Sequence, residues 1–502
     1  MGGHDLTSAC PWPAWIVAWP LLAACAMISL RRWACALGLL SWPAIAGLVA
    51  ALGYCVTLHG PQHMNLGGWA APLGIQLRAD GLSVWMLGVT ALIGGFVSIY
   101  AASYFRPQTG AAPPDSAASF FWPLWMFCWT ALNALFLSAD LFNIYVAFEV
   151  LGFAGVALAA LSRERAALTA AVRYLLVSLM GSLSYLMGVA FLYAGTGTLA
   201  MGSAASGLAP APFSYAAFAL MSAGLVMKSA LFPLHFWLPP AHANAPAPVS
   251  AVLSALVVKA SFYILLRLWF EVFGGIVTPS LAYVPGVLGS AAILWGSIQA
   301  LAASRLKQLI AYSTVAQVGH LFLVFPLGAA AGPRETAWSA AFYFVLAHAC
   351  AKAAVFMAAG NVLWAFGHDR IDELRGAVQQ LPVSMFAFAV AGVSLIGLPP
   401  SGGFVAKWLF LIAALEESRW GFATVVVAGG FLSTAYIFRF FSRTFSHVPE
   451  PAACGKVPRP MEWSALALAV CAMALGVAAA PALEWLQSGI PIADPWRAGG
   501  RP

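Results

Sequence analysis

Residues 227–267 read MKSALFPLHFWLPPAHANAPAPVSAVLSALVVKASFYILLR. An apolar run carries Lys228, meets Pro233 five residues later, crosses a Pro-rich segment with His235 and His242, and becomes apolar again around Lys259. The pattern predicts a broken membrane helix with buried cations. In hydrocarbon, every backbone group freed by a break needs a partner, so a break persists only inside protein or along a wet cavity. A lysine near the middle of a span costs roughly 2.5–3.5 kcal/mol on insertion scales, and such residues mark ion or proton pathways. The plainer alternative is a Pro-kinked helix whose lysines snorkel to the interface. A second break and further intramembrane charges downstream weigh against it.

The whole chain fits this reading. It has 502 residues, 62% hydrophobic and only 8% charged, with mean hydropathy +0.86. That composition predicts an all-α polytopic membrane protein. At about 20 residues per span there is room for about fourteen transmembrane helices and for no soluble domain. The net charge of +7 comes from basic residues placed singly in loops, not in a stripe interleaved with aromatics. They read as topology signals, and nucleic acid is not an expected partner.

Eight cysteines include no C-x-x-C pair and no His/Cys cluster, which argues against iron–sulfur, haem c and structural zinc. There is no G-x-G-x-x-G after a strand and no P-loop. The expectation is a chain with no cofactor, no metal and no nucleotide hydrolysis of its own. The apolar run at 12–30 has no basic n-region before it and no credible cleavage site, so it reads as a first span rather than a signal peptide.

Spans are expected near 13–31, 33–58, 81–105, 119–138, 141–162 and 168–194, followed by the broken seventh. Later ones fall near 249–270, 281–303, from Lys307 through the unusually polar KQLIAYSTVAQVGH stretch, and near 336–362. The twelfth, LPVSMFAFAVAGVSLIGLPPSGGFVAKWLFLIAAL, has its break at Pro399, Pro400, Gly402 and Gly403, with Lys407 just beyond; two more lie near 421–441 and 462–484. The connector from His59 to Asp80 is turn-rich and compatible with a short hairpin. Loops after odd spans carry most Arg and Lys, so they are expected to be cytoplasmic and both termini outside. Two Pro/Gly-broken spans, each with a lysine, sit five spans apart, as an inverted repeat would place them.

The intramembrane charges are Glu149, Arg173, Lys228, Lys259, His348, Lys352 and Lys407. His348 and Lys352 are four apart and share a helix face. A buried lysine is pushed toward neutrality by desolvation and back by a nearby carboxylate, so a row of such groups can pass protons. Glu149 is either an exchange partner for Lys228 or a static partner for Arg173 or a lysine. His235 and His242 are candidates for a relay or for capping freed carbonyls. His320 reads first as a satisfied polar residue. Lys307 is open to snorkelling or proton uptake, and Asp140 reads as a helix N-cap.

The stretches DLFNIYVAFEVL, MKSALFPLHFWLPPAHANAPAPVSAVLSALVVK, RLKQLIAYSTVAQVGH, HACAKAAVFMAAGN and GLPPSGGFVAKW resemble, in this order, the antiporter-like membrane subunits shared by complex I (NADH:quinone oxidoreductase), membrane-bound hydrogenases and Mrp cation/proton antiporters. The resemblance covers roughly residues 65–445 and is closer to the shorter, Mrp D-like type. It implies fourteen helices with an inverted five-helix repeat and half-channels at the two breaks. It also implies a proton relay in which Glu149 modulates Lys228, Lys259 and the His348/Lys352 pair connect, and Lys407 is the exit. Domains then follow as 1–118, a conducting core at 119–445 (repeats about 119–273 and 281–445), and 446–502.

The function expected is a proton-translocating subunit of a multisubunit complex in the bacterial inner membrane, driven by a redox module or an ion gradient. The rival in transport is a component of an Mrp-type Na⁺/H⁺ antiporter, and the rival of another class is a non-transporting scaffold. Partners would be other membrane subunits, the lipid bilayer, protons and, in the exchanger reading, Na⁺.

Overall fold

The computed structural model describes residues 11–69, 73–106, 117–329, 334–446, 448 and 454–489. The expectations for Cys10 and for the tail beyond Gly489 lie outside the described residues. Among those described, twelve helices are long and apolar enough to cross a membrane. The fold is that of an all-α polytopic membrane protein. Two further apolar helical segments are each interrupted. One runs Pro212–Lys228 and resumes as Leu238–Asn244; the other runs Pro382–Ile396 and resumes as Gly402–Glu416.

Both interruptions follow from local chemistry. After Lys228 the chain turns at Ala230, whose φ of 53° is left-handed, and Pro233 supplies no N–H with which to restart the helix. The Met227 carbonyl freed there accepts from the Trp237 indole at 3.1 Å. In the second break Gly397 takes φ 89°, a region open to glycine. A side chain on Gly403 would put its Cβ 1.9 Å from Ser394 O, so the restarting helix can approach the first only through glycine there. Ser401 caps the restart by accepting from Phe404 N at 3.2 Å.

The polar connector does contain a hairpin, Gln62–Asn65 paired antiparallel with Gln76–Ala79. Asp140 is the expected N-cap, accepting from Asn143 N at 2.7 Å. The last expected span, near 462–484, is corrected: the helix is Arg459–Val477, and a separate helix Ala479–Gly489 follows. Pro481 explains the division, because its ring and missing N–H would clash with a continuous helix but suit a first turn.

At the centre lie Ala247–Val272, buried except at Phe270 and Glu271, and Arg334–Phe366. The Ala247–Val272 helix contains a π turn at Leu253–Val257. The helices carrying Ser178 and Lys228 approach closely, since a Cβ on Gly224 would meet Gly181 O at 2.3 Å. Small residues at such a crossing let two backbones touch.

Candidate functional site

The close Gly181/Gly224 crossing brings Lys228 Nζ to Ser178 Oγ, to which it donates at 3.0 Å. The Phe148 ring lies 5.1 Å from the ammonium. Lys228 borders a small cavity lined also by Tyr174, Ser178, Trp237 and Ser261. Glu149 is half-buried, and among the described residues no ion-pair contact joins it to Lys228. It shares a helix face with exposed Phe142, Val146 and Phe153. Arg173 is exposed, and among the described residues no ion pair joins it to Glu149. The static Glu149–Arg173 lock is therefore corrected: the two side chains stand on outward-facing surfaces of their helices.

Lys259 points back along its own helix, as side chains do, and donates to Ser254 O at 2.8 Å and Ala255 O at 2.9 Å, both in the π turn. Ser254 Oγ in turn contacts Thr314 Oγ1 at 2.9 Å. Lys352 donates to Ile310 O at 2.9 Å and to Ser313 Oγ. Lys407 donates to Leu395 O at 2.8 Å and Ile396 O at 3.1 Å, the carbonyls released by its own break. A Cβ on Gly397 would strike the Lys407 stem at 2.7 Å, so the glycine makes room for the lysine as well as the turn.

Lys307 is 1% exposed, which rules out snorkelling. Its Nζ donates to Ala245 O, and its N–H donates to buried Asp369 at 3.1 Å. Asp369 also pairs with Arg305 at 2.8 Å, tying the loop before the twelfth segment to this helix start.

The histidines divide. His242 is fully buried against Phe356 at 4.9 Å, and neither ring nitrogen has a protein partner, so it does not cap a freed carbonyl. His235 stacks on Phe232 at 5.6 Å and leaves Nδ1 unpartnered. His320 is satisfied at Nδ1 by Ala316 O at 3.3 Å but not at Nε2. His348, whose two nitrogens are both unpartnered, stacks on Phe344.

Sequence reading missed two groups. One is an ion network where the hairpin meets the end of the Ala247–Val272 helix. Arg267 pairs with Asp80 at 2.5 Å and with Glu271 at 2.5 Å, and Arg78 pairs with Asp80 at 2.7 Å and Glu271 at 2.9 Å. Burial alone would raise the Asp80 carboxyl, but the two guanidiniums and the Ser83 N–H outweigh it and hold the group well below the usual carboxylate range. The signal was present as Arg78 two residues from Asp80 and Arg267 four from Glu271. The other group is the neutral partner set Ser178, Ser254, Ser433 and Tyr436, which joins Ser313, Thr314 and Gln317 of the polar KQLIAYSTVAQVGH stretch.

Among the described residues no carboxylate is in ion-pair contact with Lys228, Lys259, Lys307, Lys352 or Lys407. Their partners are hydroxyls and backbone carbonyls. Such acceptors can hold either an ammonium or a neutral amine, whereas an ion pair favours the charged form strongly.

A family profile described as "NADH:quinone oxidoreductase/Mrp antiporter, TM" matches residues 138–433. The chain is 36% identical over 466 residues to NADH-quinone oxidoreductase subunit N of Desulforudis audaxviator, covering 89% of each. It is 29% identical over 454 residues to the D-type subunit of a Na(+)/H(+) antiporter from Alkalihalophilus pseudofirmus, covering 87% of each. Among solved structures, it superposes on a chain of the Mrp complex from Dietzia sp. with TM-score 0.87 at 24% identity, covering 96% of this chain and 97% of that one. A chain of the archaeal membrane-bound sulfane sulfur reductase gives TM-score 0.85 at 25% identity, covering 97% and 98%. With more than half its length inside the matched profile and the same fold as these subunits, the chain belongs to the NADH:quinone oxidoreductase/Mrp antiporter family of membrane subunits.

Proposed function

We propose that this chain is the proton-conducting component of an Mrp-type Na⁺/H⁺ antiporter assembly. The observation that carries the reading is the set of interior lysines held by neutral acceptors instead of carboxylates. Such groups can lose and regain a proton inside a low-dielectric interior. Lys228 takes up a proton under the influence of Glu149, passes it by way of Lys259 and the His348/Lys352 region, and Lys407 releases it. His235, His242, Lys307 and His320 are accessory groups along the same plane.

Two relatives named as D-type Na(+)/H(+) antiporter subunits, and the Mrp complex fold, support the exchanger assignment. Buried acids are scarce near the lysines, so Na⁺ passes through a partner protein. A second reading, in which the same relay is driven by a redox module, is favoured by the 36% identity to a protein named NADH-quinone oxidoreductase subunit N.

The architecture that goes with this function counts the two interrupted segments as the seventh and twelfth of fourteen spans. It divides the chain into 1–118, a conducting core at 119–445 and 446–502. The core holds inverted repeats at about 119–273 and 281–445. Odd-numbered loops are cytoplasmic and both termini outside, in a bacterial inner membrane.

The test uses inverted vesicles containing the intact complex. After a proton gradient is imposed, a Na⁺ pulse is expected to dissipate it, and no electron donor is required. Proton movement that needs a reduced donor and ignores Na⁺ favours the second reading. Lack of proton movement under either drive overturns both and leaves a membrane scaffold.

A further inference from the structure

Lys352 and Lys407 stand on different helices, and the groups between them form two contrasting sets. On one side His320 and His348 sandwich Phe344, with ring centroids 5.5 and 5.4 Å away. Neither nitrogen of His348 has a protein partner, so this side offers no continuous chain of donors and acceptors among the described residues. On the other side polar groups lie close to one another all the way across. Lys352 Nζ donates to Ser313 Oγ. The Tyr436 hydroxyl lies near Ser313 and is hydrogen-bonded with Ser433 and Gln317. It donates to Ser433 Oγ at 3.1 Å and accepts from Gln317 Nε2 at 3.3 Å. Gln317 Nε2 also donates to Leu395 O at 3.0 Å, the same carbonyl that accepts from Lys407 Nζ at 2.8 Å.

Helix geometry makes this string. Ser313 and Gln317 are four apart on one face of Leu306–Gly328, and Ser433 and Tyr436 are three apart on Trp420–Thr444. Tyr436 and Gln317 are almost completely buried, at 0% and 1% exposure. Gln317 Oε1 has no protein partner although it sits in this cluster. A buried amide oxygen left without a partner is costly, and a single bridging water removes that cost.

We propose that Tyr436, with Ser313, is the hydroxyl link that carries a proton from Lys352 to Lys407, through one water held by Gln317 Oε1. The proposal rests on the relay above and assigns it a residue outside the charged set. A proton leaves the Lys352 ammonium for Ser313 Oγ as the Ser313 hydroxyl, turned from Ile310 O, gives its own proton to the Tyr436 oxygen. Tyr436, its hydroxyl turned from Ser433 Oγ, gives its proton to the water, and the water gives one to the Lys407 amine. One N–H bond breaks at Lys352 and one forms at Lys407, while each hydroxyl and the water gain and lose one O–H bond. Gln317 is a positioning residue, since its amide orients the string without exchanging a proton.

The test compares proton flux in vesicles holding the intact complex, for wild type, Tyr436→Phe, Ser313→Ala, the double variant and Lys407→Ala. Tyr436→Phe is expected to lower the maximal flux by about tenfold or more, the effect of losing one hydrogen bond's worth of barrier stabilisation. The Na⁺ or donor concentration for half-maximal flux is expected to stay unchanged, which a general loosening of the site would not give. The double variant is expected to be no slower than the worse single one, because both cut the same link. Normal flux in Tyr436→Phe with flux abolished in Lys407→Ala overturns the link and leaves the lysine relay standing. Normal flux in Lys407→Ala removes the relay itself and the link with it. Should Tyr436→Phe fail to assemble, Ser313→Ala reads the same link with the same two outcomes.

Discussion

The middle and one end of the Ala247–Val272 helix treat buried charge in opposite ways. At one end Arg267 is enclosed by Asp80 and Glu271, with Arg78 completing the set and Tyr263 donating locally to Phe136 O. At the middle, Lys259 has only two carbonyls of a π turn. Two helical turns separate the residues, and both are buried. A guanidinium stays charged, and an ion pair at these distances fixes its geometry. An amine among neutral acceptors is free to change its charge. The first arrangement serves to pin the hairpin to the helix, whereas the second is suited to proton movement.

The largest expected effects break this contrast from each side. Asp80→Asn leaves Arg267 short of a counter-charge and is expected to cost about 3–5 kcal/mol, read as a lower melting temperature of the detergent-solubilised protein. Transport per assembled complex should stay near wild type. Lys259→Met is the mirror image: stability is expected to move by no more than about 1–2 kcal/mol, since the bond to two helical carbonyls is all that is lost, while proton flux collapses. Equal effects of both variants on stability and flux would erase the distinction.

A smaller effect sharpens the pinned end. Asp80 titrates in the folded protein well below its unfolded value. Its stabilisation is fully present above about pH 4, the ordinary carboxyl range, and is lost as pH falls toward the folded value. Acid melting of wild type should therefore steepen below about pH 4, and Asp80→Asn should remove that part of the dependence. The smallest change concerns Lys228. Ser178→Ala deletes its one hydroxyl partner and is expected to alter stability by only about 0.5–1.5 kcal/mol, yet to shift the pH at which proton flux is half-maximal. An unshifted profile would show that Ser178 only packs.

Much of this was legible in residues 227–267 and 382–416. Pro and Gly at the breaks and lysines in apolar runs are loud signals, because both are costly in hydrocarbon and leave little ambiguity about where they lie. The hairpin was legible as a turn-rich connector compatible with one, but its docking through Asp80 onto Arg267 was not. The direction of Glu149 and Arg173 was not legible, because the surrounding apolar residues look alike whether they face lipid, protein or a partner. Nor were Ser178 and Tyr436, since single hydroxyls scarcely mark a hydropathy pattern; Ser313 and Gln317 stood out in the polar KQLIAYSTVAQVGH stretch, but the lysines they serve are reached only through helix packing. The paired charges around Arg267 could have been found from their spacing, but Arg78 resembles any loop arginine until the hairpin folds it back.

The most direct test of the central claim is proton transport in vesicles holding the intact complex, with wild type set against Lys228→Ala and Glu149→Gln at matched assembly. Loss of flux in Lys228→Ala and a large reduction in Glu149→Gln, with the complex still assembled, is the expected result. Undiminished flux in both variants would contradict a lysine relay and leave this chain a scaffold for its neighbours.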